Sequence, residues 1–188
     1  MLHVGKPTST RTCAVLLSSS CPGQFSSRFT PLSSILNGLQ SELRDWQQHP
    51  PEGCSLLSCE PLLQWEIEMH GPEDSPTNTP LYKGEVFRLR VLFSDRYPLE
   101  PPEVIFVPPA PVHPHIYSNG HICLDILYDG RNGGWSPALT MSKVALSLRS
   151  MLASNDTRSR PPGDALYCSR TVGRSPKETR WQFDDESV

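Results

Sequence analysis

Seven of the chain's 20 prolines fall between Pro98 and Pro114, and this crowding limits the fold more than any other feature. Proline fixes φ at about −65° and carries no amide hydrogen, so neither a helix interior nor a central strand can run through such a segment. These prolines nevertheless interleave with Val104, Ile105 and Phe106, a pattern that a disordered tail would not show. The span therefore reads as a rigid loop folded onto a sheet. At 188 residues the chain suits one domain with a full core. Its net charge of −3 offers no electrostatic footprint for nucleic acid. No apolar run approaches the ~20 residues needed to cross a bilayer; the longest near the start is Ala14 to Leu17. A soluble chain with neither nucleic-acid nor membrane partners is expected. Six cysteines in a chain this long do not describe a disulfide scaffold.

Residues 1–31 carry Lys6, Arg11 and Arg28 but no acid, and the first acid of the chain is Glu42. The composition is that of a transit peptide, but three bases without an amphipathic pattern fit a disordered extension better. The expected layout is an extension at 1–31, a core at 32–160 and a C-terminal segment at 161–188. Leu32, Leu36, Leu39, Leu43 and Trp46 form one stripe of an amphipathic helix that Pro50-Pro51 end. The period then switches to two. Trp65, Ile67 and Met69 predict one strand, Phe87, Leu89, Val91 and Phe93 a second, and Val104–Val107 another, with a weaker strand within Ser55–Glu60. Turn residues from Gly71 to Pro80 make the pairing antiparallel. Met141, Val144, Ala145, Leu148, Met151 and Leu152 share one face of a further helix, with Thr140 as its cap. Tyr167, Trp181 and Phe183 are available in the polar tail to dock on the core. This order reads as an α+β, two-layer domain built on a four-stranded antiparallel meander.

Between the last strand and that helix, His113, His115, His121, Cys123 and Asp125 crowd a long irregular connection, which in a compact domain is usually functional. Three readings are open on the residues alone. Three histidines and a cysteine are suitable zinc ligands, although the chain has no Cys-x-x-Cys pair and an extended His113-Pro114-His115 would point its imidazoles apart. Cys123 with a histidine base would suit a hydrolytic nucleophile. A lone cysteine is also a common apolar filler, against which the polar neighbourhood argues.

Tyr97-Pro98-Leu99-Glu100-Pro101-Pro102, His113-Pro114-His115, Cys123-Leu124-Asp125-Ile126-Leu127 and Trp135-Ser136-Pro137-Ala138-Leu139 follow one another as the signatures of the ubiquitin-conjugating enzymes do, and the chain resembles that family from about Leu32 to Leu152. The ten-residue step from His113 to Cys123 matches the family's distance from its His-Pro-Asn motif to its catalytic cysteine. His115 stands where the family usually has Asn. The tail Arg160-Pro161-Pro162, Tyr167, Ser175-Pro176-Lys177 and Trp181 to Asp185 replaces the usual two closing helices. Both features are similar to the W-type members, which attach a single ubiquitin to the amino terminus of substrates, particularly flexible ones.

The resemblance implies the ubiquitin-conjugating fold and acyl transfer through a thioester. Cys123 would be the thioester nucleophile, loaded by the ubiquitin-activating enzyme. His115 would support the oxyanion or the loop, Asp125 would position the amine, and His113 would be structural. Leu99, Pro137 and Ala138 would meet RING or U-box ubiquitin ligases. No metal and no resident cofactor are implied, ATP being consumed by the activating enzyme, and the expected location is nucleus and cytoplasm. An inactive adaptor of the same fold is the alternative, and Cys123 argues against it, since inactive relatives lack this cysteine. Two departures stand out. The segment from Tyr128 to Gly134 lengthens the step from Cys123 to Trp135, and its Gly and Asn predict a mobile turn. Asn37 and Gly38 stand where the family's first helix carries Lys and Arg for the activating enzyme.

Overall fold

The computed structural model describes residues 31–74, 76, 80–129 and 134–181. The extension expected at 1–31 lies outside the described residues except for Pro31, which opens a helix, and residues 130–133 of the turn expected over Tyr128 to Gly134, with Phe183, also lie outside them. Helix α1 spans Pro31–Gln48, strands β1 to β4 span Cys54–Ser58, Gln64–His70, Val86–Leu92 and Glu103–Val107, and helices α2 and α3 span Met141–Ser154 and Asp164–Arg170. Short 3-10 turns occupy Asp125–Leu127 and Pro176–Glu178. The sheet runs β1-β2-β3-β4 with every neighbour antiparallel, as the alternating patterns require. No helix among the described residues is long and apolar enough to cross a membrane.

Register follows the buried face. Trp65 pairs with Val91, Ile67 with Leu89 and Met69 with Phe87, while Leu89 and Val91 pair onward with Phe106 and Val104. Sliding any one strand by one residue would turn that strand's share of this set to water. The inner face meets Ile35, Leu39, Leu43 and Trp46 of α1 and Met141, Val144, Ala145, Leu148 and Leu152 of α2 in one core. The α1 stripe therefore runs through Ile35 rather than Leu36, which is only half-buried on the flank. Ile105 breaks the alternation of β4. It lies on the outward face yet is buried, at a cleft that residues 171–175 also line.

The two helices and the proline-rich loop are tied by one carboxylate. Thr140 occupies the cap position of α2, but its side chain makes no cap hydrogen bond. Glu42 of α1 does that work, its Oε2 accepting from the Met141 amide at 3.0 Å, while its Oε1 accepts from the Tyr97 hydroxyl. Burial raises the Glu42 pKa, opposed by these two donors. Glu42→Ala is expected to lower stability to chemical denaturation by about 2 kcal/mol, the loss of a cap and a buried bond. Glu42→Gln should lose less than half of that, because its carbonyl still serves Met141 and the Tyr97 hydroxyl can turn to accept from its amide. From Tyr97 an edge-on aromatic series runs back to α1: Tyr97–Phe93 at 4.8 Å, Phe93–Trp65 at 5.2 Å and Trp65–Trp46 at 6.0 Å. The Tyr97–Pro98 and Pro108–Pro109 peptide bonds are cis.

Candidate active site

The segment from Pro108 to Cys123 has more carbonyls than amides, since prolines at 108, 109, 111 and 114 donate nothing. Arg160, just beyond α2, supplies the missing donors. Its Nη1 donates to Pro111 O at 2.6 Å and to Ile116 O at 3.0 Å, and its Nη2 to Ala110 O at 2.9 Å. A guanidinium has five donors in a rigid plane and no acceptor, which suits a cluster of carbonyls.

Within this frame His113 is buried. Its Nδ1 accepts from the His115 amide at 2.9 Å, so its Nε2 carries the proton toward Met151 O at 3.3 Å. The ring thus pins the loop to α2, a bracing role. Burial, then the neighbouring His115, push its pKa down to about 4. An unfolded histidine titrates near ~6.5, so stability from this group is fully present above that value and is lost as pH falls toward 4. In urea titrations at pH 7 and pH 4.5, His113→Gln should remove ~2–3 kcal/mol of the native chain's pH dependence. Glu42, with its raised pKa, contributes the opposite slope, and the comparison of the two chains cancels it.

The expectation of an extended His113-Pro114-His115 is corrected. Ile116 N–H donates to His113 O at 3.1 Å, closing a turn, and the two imidazole rings lie 5.5 Å apart. His115 is exposed at the tip of that turn. Its carbonyl accepts from the Cys123 amide at 2.8 Å, so the turn and the cysteine segment run side by side. Cys123 is partly exposed. Gly120, three positions earlier, has φ +90°, and a Cβ there would lie 1.8 Å from Phe106 O. Only glycine lets this segment reach β4, where Phe106 N–H donates to Gly120 O at 2.9 Å. Asp125 opens the 3-10 turn after the cysteine, its Oδ1 accepting from the Ile126 amide at 2.7 Å. Among the described residues no three His, Cys, Asp or Glu side chains converge as a metal site. His121, included in that reading, is instead buried with Nδ1 2.8 Å from the Tyr167 hydroxyl.

On one side of the cysteine the loops bearing Leu99 and Pro137 are joined, Trp135 Nε1 donating to Pro98 O at 2.8 Å. Leu99 is 69% exposed, and Pro137 and Ala138 are exposed too, making a small apolar patch. On another side the tail docks. Asp164 Oδ1 and Oδ2 accept from the amide and hydroxyl of Ser118 at 2.8 and 2.5 Å, and Tyr167 and Trp181 stack with Tyr117 at 4.0 and 5.8 Å. The tail read as polar thus contains the short helix α3. A cleft of about 590 Å³, lined by Arg90, Glu103, His121, Cys168 and Arg174 among others, separates tail from sheet. Sequence reading placed Tyr167 and Trp181 on the core but missed Glu42, Ser118, Tyr128 and Asp164, whose partners are remote in sequence. For Arg160 the only signal was its place before Pro161-Pro162.

The family model described as ubiquitin-conjugating enzyme matches residues 38–181. A probable ubiquitin-conjugating enzyme E2 W of Dictyostelium discoideum is 49% identical over 150 residues, covering 80% of this chain and 95% of its own length. The ubiquitin-conjugating enzyme E2 W of Caenorhabditis elegans is 44% identical over 154 residues, covering 80% and 95%. Among solved structures, the ubiquitin-conjugating enzyme E2 UbcA1 of Agrocybe aegerita matches with a TM-score of 0.67 and 37% identity, covering 76% of this chain and 98% of that one.

Proposed function

The chain belongs to the ubiquitin-conjugating enzyme family, a family of ubiquitin transferases, and from that premise we propose that it carries ubiquitin on Cys123 and delivers it to the amino-terminal α-amino group of flexible substrates. Ubiquitin, an activating enzyme and ubiquitin ligases are the partners that membership brings. The Cys123 thiolate displaces the thiolate of the activating enzyme from the ubiquitin carboxyl carbon. The substrate amine then attacks the new thioester, and Cys123 leaves as thiolate while the amine loses its proton. The observation that carries this assignment is the partly exposed Cys123, its amide 2.8 Å from the carbonyl of the exposed His115. His115 offers a ring N–H to the developing oxyanion in place of the family's Asn. Asp125 positions the amine. Leu99, Pro137 and Ala138 form the contact for a RING or U-box ligase. The reaction uses no resident cofactor, ATP being spent on activation upstream, and its setting is the nucleus and cytoplasm.

Amine choice has a physical basis. At pH 7 an α-amino group is roughly 10–20% neutral, whereas a lysine is about 0.04% neutral. An enzyme that does little to deprotonate its nucleophile therefore favours amino termini. The test offers the ubiquitin-loaded chain two peptides, one with a free amino terminus and no lysine, the other with a blocked amino terminus and free lysines. Discharge to the first alone is expected, and efficient modification of the second would refute amino-terminal choice.

A further inference from the structure

The peptide unit that joins Ile122 to Cys123 is held at both ends. Its N–H, on Cys123, donates to His115 O at 2.8 Å. Its carbonyl, on Ile122, accepts from the Tyr128 hydroxyl at 2.6 Å. Ile122 is fully buried and Tyr128 is 7% exposed, so bulk water offers the carbonyl little alternative to that hydroxyl. Tyr128 is itself fixed. Its amide donates to Asp125 O at 2.9 Å, closing the turn after the cysteine, and its ring packs on Trp181 at 5.1 Å. Burial, followed by the nearby Tyr167 and Cys123, pushes its phenol far above the ordinary range, so the hydroxyl stays a donor at every working pH.

We propose that Tyr128 is a positioning residue for ubiquitin transfer: by fixing the plane of the Ile122–Cys123 peptide, it sets the direction in which the Cys123 side chain leaves the backbone and hence where the thioester carbonyl stands relative to His115. The proposal rests on the reading that Cys123 carries ubiquitin. A buried phenol touches neither ubiquitin nor the acceptor, so its effect falls on the chemical step and not on binding. Misplacement of a reacting group by ~1 Å can cost about 10²-fold in rate. With one of the two restraints kept, a loss of about tenfold is the expected scale.

The test is Tyr128→Phe in the full chain, which keeps the ring and removes only the hydroxyl. Native and variant chains are loaded with activating enzyme, ATP and ubiquitin, then discharged in single turnover over a range of concentrations of a peptide with a free amino terminus. The maximal rate should fall about tenfold with the half-saturating peptide concentration unchanged within twofold. Amide hydrogen exchange separates positioning from general loosening, since the Cys123 amide should exchange at least tenfold faster in the variant while the amides of β2 and β3 keep their native rates. A native discharge rate in the variant would overturn the proposal, as would equal acceleration across β2 and β3 or a rise in half-saturation at constant maximal rate. Should the variant not fold, exchange in the native chain remains decisive: a Cys123 amide as fast as an unfolded peptide's would overturn the double restraint. Failure of the native chain to load would instead overturn the thioester reading on which the proposal rests.

Discussion

Cys123→Ala is expected to abolish the thiol-sensitive ubiquitin adduct completely, while the native chain forms it on incubation with activating enzyme, ATP and ubiquitin. Loading needs a thiolate that an incoming protein can reach. The other described cysteines fit that need poorly. Cys54 and Cys59 are buried at 6% and 4% exposure, and burial pushes the Cys54 thiol up to about 11. Cys168 also has a raised pKa, burial first and Asp164 adding, which keeps it a thiol at neutral pH. Cys123→Ser should instead give an oxygen ester that survives reductant, marking the same position by a bond of different lability. Gel analysis with and without reductant reads all three chains. An adduct of native yield on Cys123→Ala would place the nucleophile elsewhere.

The second large effect concerns Arg160. Its three bonds reach carbonyls 44 to 50 residues earlier in the chain, on a loop whose prolines leave few amides of its own. Removing the guanidinium strands these acceptors together. A hydrogen bond from a charged donor is worth ~1.5–3 kcal/mol, and three that share one group overlap, so Arg160→Ala should cost about 3 kcal/mol. In a chain of 188 residues that corresponds to a melting temperature lower by about 6–12 °C. Arg160→Lys should recover only a minor part, because a point ammonium cannot span three carbonyls set for a planar fork. Because the same loop carries His113 and His115, discharge of loaded ubiquitin should slow in Arg160→Ala even at temperatures where the chain stays folded. A change in stability under about 0.5 kcal/mol would show that the loop holds its shape without the arginine.

What could be read from the chain beforehand follows the range of the interactions concerned. Trp65, Ile67 and Met69, or Phe87, Leu89 and Val91, announce their strands because a two-residue period is a local property. The ordered motifs through Tyr97, His113, Cys123 and Trp135 carried the family, and the order of blocks is likewise legible along the chain. Interactions that depend on remote partners were not legible. Thr140 satisfies every local rule for a cap, yet Glu42 caps the helix from 99 residues away. Ile105 looked like one residue of a continuous apolar run, and the cleft it faces is lined on its other side by a tail that arrives some seventy residues later. The imidazoles of His113 and His115 were expected to point apart because proline favours extended neighbours, but the turn closed by Ile116 brings the rings together.

Gly134 bears on how this family member can vary. A Cβ at that position would stand 2.3 Å from the Asp125 carbonyl carbon, so the chain returns to the segment after Cys123 through a gap that glycine alone fits. On the outgoing side Tyr128 is fastened to Ile122, and on the returning side Trp135 is fastened to Pro98. Whatever lies between these two moorings closes a loop whose ends are already set. Closure entropy grows only with the logarithm of length, about 0.6 kcal/mol for each doubling. Residues can thus be added or removed there over evolutionary time, or a reporter peptide spliced in, with the cysteine left where it stands. The extra length expected of this segment falls between these two moorings.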